Sequence, residues 1–245
     1  MFSNRYYRTI SSRRGLVSFI VTVKETDLHI QACSDMSDAA LREVLKQRGH
    51  VEAYIDMVPV FRTSLTPILQ ESYTPPAPAI VAQMLDASRR TGVGPMAAIA
   101  GAISQFTGNE LLKSSSEVIV ENGGDIFFKT HSHISIAVFA GQSRLSMKIG
   151  VRIAPRTSPA GLCTSSGTVG HSTSFGKADA VTVLSSSAVL ADAAATAIAN
   201  LVQTREDIEP ALERGRNIKG VEGILIIKGD QLGAWGDIEL VSISP

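Results

Sequence analysis

Cysteine is nearly absent: Cys33 and Cys163 are the only two in 245 residues. That excludes a disulfide framework, and two thiols so far apart do not make a zinc site. Net charge is absent as well, because 23 Lys and Arg balance 23 Asp and Glu. Nothing in that balance calls for nucleic acid or a membrane surface. Long apolar runs are missing too. The early run "LVSFIVTV" (16–23) follows Arg5, Arg8, Arg13 and Arg14, but it is too short to span a bilayer. "KETD" follows it instead of the small-residue cleavage site of a secretory signal. It reads as a β-strand, and the protein as soluble and cytoplasmic. What the chain does have is core: 44% hydrophobic and 19% charged residues exclude disorder and fill one large domain or two small ones.

Strand and helix signals come in groups. Residues 17–33 read as two strands around a polar turn near Glu25–Asp27. Residues 37–49 read as a helix, with Ser37 as its cap and Gly49 as its end, and a second helical stretch covers 50–58. "YTPPAP" (73–78) cannot be helix interior and reads as a hinge. Two helices follow, over 79–90 and 95–107, with Pro95 at a helix start. "SEVIVENGGDIFFKT" gives two strands around "NGG", and "HISIAVFAG" and "RLSMKIGVRIA" continue the sheet. A strand at 180–184, a long helix at about 187–203, a short helix at 207–214 and closing strands complete the order. Grouped elements favour an α+β fold over a doubly wound parallel sheet, and their order hints at a duplicated unit.

The helix "AVLADAAATAIANLV" (188–202) is unusual. Asp192 is the only charged residue between Asp179 and Arg205, so the helix lacks the charged outer face of a surface helix. Asp192, Thr196 and Asn200 recur every four residues and share one stripe. A buried carboxylate needs a proton, a basic partner, backbone donors or a metal. Three readings stand: a cap on a nearby loop, an ion pair with Arg or Lys, or a hard cation such as Mg²⁺ held by Asp192 and Thr196.

Two glycine-bearing loops accompany it. "ENGGDIFF" (121–128) is either a plain hairpin turn or a place where bare backbone lets an anion approach, with Asn122 and Asp125 adding polar contacts. "CTSSGTVGHSTSFGK" (163–177) has ten Gly, Ser or Thr among its fifteen residues. It is a linker or a phosphate cradle, and it matches neither a P-loop nor a dinucleotide fingerprint. His171 in this loop is a surface residue, a phosphate contact or a proton carrier. Cys163 with His171 raises a thiol-nucleophile reading. His131 and His133 read as a pair on one side of a strand.

"VENGGDI", "CTSSG" and "AVTVL…LADAAATAIAN", in that order, resemble the ApbE superfamily, nearest to its uncharacterised ApbE-like branch. For that branch the resemblance covers nearly the whole chain, including "GPMAAIAGAI" and "GAWGDIELV"; for the flavin transferases it covers mainly 94–205. It implies an α+β fold of tandem T-fold-like units, mostly antiparallel sheets covered by helices. It also implies one ApbE-like domain over 1–245, built of two intertwined halves with a hinge near 73–78. Its characterised members move FMN from FAD onto a Thr or Ser of an acceptor protein. Carried over by position, the resemblance makes Asp192 and Thr196 the metal ligands of an "AD-x-x-S/T-T/A" helix. Asn122, Gly123, Gly124 and Asp125 become the turn facing the flavin nucleotide, and Thr164, Ser165, Ser166 and Gly167 its companion segment. Two motifs depart: "IAGAI" (99–103) lacks the lysine of "AKG", and of H-I-I/L-D/N-P-x-T/S-G only His171 survives.

The expectation is therefore a protein binding a small phosphorylated molecule, FAD or another flavin nucleotide first, with Mg²⁺. As an FMN transferase-like enzyme it would act on an acceptor protein, with His171 or Asp125 moving a proton. The alternatives are a non-catalytic scaffold that kept the fold, and a hydrolase using Cys163. No nucleic acid or membrane partner is expected, and association into a homo-oligomer is compatible with tandem T-fold-like sheets.

Overall fold

In the computed structural model, residues 15–68, 76–166 and 176–243 are described. The elements run β1 (Val17–Val23), β2 (Thr26–Ala32), α1 (Ser37–Met57), α2 (Val60–Thr63), α3 (Ala79–Thr91), a 3-10 turn (Pro95–Ala98) and α4 (Ile99–Leu111). Then come β3 (Val118–Asn122), β4 (Asp125–Lys129), β5 (Ile134–Ala137), β6 (Ile149–Ile153), β7 (Ala160–Ser165) and β8 (Ala180–Ser185). The chain closes with α5 (Ala188–Leu201), α6 (Ile208–Arg216), β9 (Val221–Lys228), β10 (Gln231–Gly236) and β11 (Glu239–Ser242).

Eight strands form one antiparallel sheet in the order β1-β2-β3-β4-β7-β8-β9-β10. The unit strand–strand–helices–strand–strand occurs twice along the chain, once through β1–β4 and once through β7–β10. This is the α+β, tandem antiparallel architecture expected. The hinge placed at 73–78 falls partly outside the described residues.

Strand alternation divides the core. Phe127, Cys163, Val181, Val183, Ile224 and Ile226 face α5 and α6, whereas Ile126, Phe128, Leu162, Leu184, Leu225 and Ile227 face the opposite way. There they meet a second sheet, ordered β11-β6-β5, through Ile134, Val151 and Ile153. A strand covered on both faces reads as an unbroken apolar run, as in "AVTVLS" of β8, every residue of which is buried.

Several local expectations need correction. α1 runs unbroken through Gly49, because Val51 and Tyr54 beyond it bury against the same core as Ala40 and Val44. Ser37 is the first helical residue rather than the cap, and its N–H is received by Asp35 Oδ1 at 2.9 Å. The segments around 134–153 do not continue the main sheet but form the second one. His131 and His133 sit exposed in the turn between β4 and β5, not on a strand.

α5 is buried almost throughout, as the missing charges predicted. It packs across β7 and β8 on one side and α3 and α4 on the other. Such a sandwich requires small residues at the contacts. A Cβ added at Gly161 of β7 would lie 2.3 Å from Ala188 Cα, and one at Gly101 of α4 would lie 2.2 Å from the Ala188 carbonyl oxygen. Gly161→Ala should therefore lower the unfolding free energy by about 1–3 kcal/mol, as overpacking does. Urea unfolding checks this through a fall in midpoint at constant slope; an unchanged midpoint would show that α5 can retreat without cost.

Candidate functional site

The site grows from the way α4 and α5 cap each other. The first N–H groups of a helix have no partner within it. At the start of α4, the Gly101 N–H is received by Asp192 Oδ2 of α5 at 2.8 Å. At the start of α5, the Ala188 N–H (2.8 Å), the Val189 N–H (3.4 Å) and the Ser187 hydroxyl (3.1 Å) converge on Gln105 Oε1 of α4. Asp192 thus does serve as a cap, though of a helix rather than a loop.

The β3–β4 turn sits beside this junction. Gly123 has φ +78°, which a side chain would strain. The Asn122 side-chain amide donates to the Ala100 carbonyl at 3.2 Å, tying the turn to α4. The Thr164 N–H donates to the Gly124 carbonyl at 3.2 Å, tying it to β7. Asp125 pairs in register with Cys163, and alternation with Phe127 turns both toward α5.

Two acids therefore meet under the helix layer. Burial pushes the Asp192 carboxyl up to about 7, against the backbone N–H groups of Gly101 and Ala100 that favour its charged form. Burial also raises Asp125 well above the usual carboxylate range, and the charge of Asp192 raises it further. No cationic side chain among the described residues offsets either acid. Ser165, on the same face of β7 as Cys163, is buried, and its hydroxyl has no partner among the described residues. Thr196, one helical turn beyond Asp192, is buried as well.

Most of the residues named from sequence are thus drawn together: Asn122, Gly123, Gly124, Asp125, Thr164 and Ser165 by the strands, Asp192 and Thr196 by α5. The Thr164 hydroxyl is the exception in direction. It bonds Thr182 at 2.9 Å on the face turned toward the second sheet. Ser166 ends the described part of its segment; Gly167 and His171 lie outside the described residues. Gln105 and the Ala100–Gly101 backbone were not foreseen as partners of this site. Ala100 and Gly101 fall in the "IAGAI" stretch set against "AKG" for its missing lysine alone, and nothing marks Gln105.

The thiol-nucleophile reading is corrected. Cys163 is fully buried and donates to the Ala188 carbonyl at 3.4 Å. Burial, then the charges of Asp125 and Asp192, push its thiol well up, so the thiolate is suppressed.

Among the described residues no three His, Cys, Asp or Glu side chains form a metal cluster. Two neighbouring carboxyls that are hydrogen-bonded but lack a cationic partner among the described residues nevertheless suit, with the hydroxyls beside them, a hard, oxygen-seeking cation that completes its shell with water and phosphate. A cleft of about 190 Å³ lies elsewhere, between α3 and the start of α5, lined by Gln83, Asp86, Ala87, Arg90, Ser187, Val189 and Leu190; it contains none of these site residues.

The profile of the family described as AbpE bacteria matches residues 8–240. The chain belongs to that family. A UPF0280 protein of Methanococcus aeolicus is 39% identical over 224 residues, covering 89% of each chain. One of Methanothermobacter thermautotrophicus is 44% identical over 200 residues, covering 80% of this chain and 76% of its own. Among solved structures, the apo flavinyl transferase ApbE of Pseudomonas stutzeri superposes with a TM-score of 0.56 at 13% identity, over 90% of this chain and 94% of its own. An ApbE protein of Thermotoga maritima gives 0.52 at 12% identity, over 89% and 96%. At these identities the structures share the fold. No helix among the described residues is long and apolar enough to cross a membrane.

The raised acids fix a pH dependence. A carboxyl whose folded pKa exceeds its unfolded value of 3.8 favours folding most below that value. Its contribution is lost as pH rises from there through about 7 and is level above. Asp192→Asn removes this loss and relieves Asp125. In EDTA, the drop in urea midpoint between acidic and neutral buffer should be smaller for the variant than for the parent chain. Parallel pH curves would show that Asp192 is not the strained acid.

Proposed function

We propose that the protein binds a phosphorylated ligand, a flavin nucleotide first among candidates, with Mg²⁺ held by Asp192 and Thr196. The observation that carries this reading is the pair of partly buried Asp125 and buried Asp192, with no cationic side chain offsetting either among the described residues, set beside the Ser165 hydroxyl, unpartnered among those residues, and the bare Gly123–Gly124 backbone. A cation and its ligand would offset the cost of setting two acids together without a basic partner. A flavin nucleotide is supported by the shared fold of the flavinyl transferase ApbE of Pseudomonas stutzeri.

Bound there, Mg²⁺ would neutralise the oxygens of a pyrophosphate. The chain's own groups do the rest. Asn122 fixes the turn against α4, so the Gly123 and Gly124 backbone stays open to the ligand. Ser165 offers a hydroxyl to a phosphate oxygen. If transfer occurs from FAD, the anhydride between the two phosphates breaks, the FMN phosphorus forms an ester to the acceptor hydroxyl, AMP departs with the bridging oxygen, and the hydroxyl gives up its proton to the base. Asp125 is the base at this site, because a carboxylate with a raised pKa is a stronger base once ionised; His171 is the second candidate. The acceptor is a hydroxyl-bearing protein side chain.

One observation favours a non-catalytic scaffold instead: Asp192 Oδ2 already has a structural use as the Gly101 cap. Thermal-shift titration with FAD, FMN and ADP, each with and without Mg²⁺, separates the two. On the proposed reading FAD stabilises in a Mg²⁺-dependent way, by about 2.7 kcal/mol at a hundredfold excess over Kd. Asp192→Asn, which keeps an oxygen for Gly101, should abolish the Mg²⁺ dependence. No shift with any nucleotide in either condition would favour the scaffold.

A further inference from the structure

We infer that α1 is the interface of a two-fold symmetric homodimer, crossing its own copy antiparallel at Gly49. α1 is 21 residues long, about 30 Å, and only one side of it is buried, through Ala40, Val44, Gln47, Val51 and Tyr54. The opposite side carries an apolar ridge at four-residue spacing: Leu41, Leu45, Gly49, Ala53 and Met57, all exposed. Leu41, Leu45 and Met57 stand 39%, 52% and 57% exposed, on a ridge that winds across the outer face with Leu45, Gly49 and Ala53 at its centre and Leu41 and Met57 on opposite flanks.

Gly49 is the unexplained member. A glycine in a helix interior destabilises it, and nothing inside the protomer asks for one here, because no atom lies within 4 Å of where its Cβ would be. A reason outside the protomer is close approach of another backbone. The ridge is also centred on it. Leu41 and Met57 are equidistant from Gly49, as are Leu45 and Ala53.

The flanking charges obey the same symmetry with opposite signs. Arg42 mirrors Asp56, and Lys46 mirrors Glu52. An antiparallel pairing about Gly49 sets each basic residue beside the mirrored acid of the other copy, twice over, as an isologous contact requires. Within the protomer Lys46 pairs with Glu43 and Glu52 with Lys24 and Arg48. Arg42 and Asp56 are exposed and have no ion-pair partner among the described residues. The occupant is thus a second copy of this chain, whose matching surface is the same ridge.

Sedimentation velocity across a concentration series tests this on the full chain. The parent chain should sediment as a dimer, and Leu45→Glu should weaken association about tenfold or more with an unchanged far-ultraviolet circular dichroism spectrum. Arg42→Asp should also weaken it, and the double change Arg42→Asp with Asp56→Arg should restore it. A parent chain monomeric at every concentration overturns the inference and leaves the ridge to a foreign helix. A dimer insensitive to Leu45→Glu, or to Arg42→Asp, overturns it as well.

Discussion

The rest of this fold depends on how closely α4 and α5 approach. Gly101 and Gly161 clear the space around Ala188, and a side chain at either would drive its Cβ into the α5 backbone. Once the helices are that close, their exposed first-turn donors must be satisfied by each other. Gln105 of α4 serves α5, and Asp192 of α5 serves α4. Neither helix can shift along the other without stranding buried N–H groups, which is costly away from water. The lock also fixes where the β3–β4 turn can rest, because Asn122 reaches the Ala100 carbonyl in the same first turn.

The candidate site grows out of this lock. Asp192 is anchored by backbone N–H groups at the start of α4, which directs the carboxyl next to Asp125 with no cationic side chain beside it among the described residues. At 13% identity, the ApbE structure of Pseudomonas stutzeri shares the fold in which this lock sits.

Much of this was legible in the sequence, for definite reasons. The uncharged helix around Asp192 announced its burial, because no other arrangement tolerates a helix without a solvated face. The grouped strands and helices announced the α+β order, and "NGG" announced the turn. Other features were not legible. Gly49 carries the same letter as a helix terminator, and only the burial of Val51 and Tyr54 carries α1 past it. The division into two sheets is invisible because strands 134–137 and 149–153 alternate like any others. Gln105 gave no signal, since a lone glutamine on an apolar helix reads as surface. Asp192 was correctly read as needing partners, yet cap and ligand are not exclusive, which the residue pattern could not express.

The last strand has a consequence for how the protein is made. β11 leaves the main sheet and pairs with β6, synthesised long before it. On a ribosome, β5 and β6 emerge with the β6 edge that β11 will cover still unpaired, and must wait while β7, β8, α5, α6, β9 and β10 are added. The inner surface formed by Ile126, Phe128 and Leu162 can be roofed early by that hairpin, but the roof is not fastened until the final strand arrives. Nascent chains stalled before β11 would expose that open edge, making this the stage at which the growing protein most needs shelter from its neighbours.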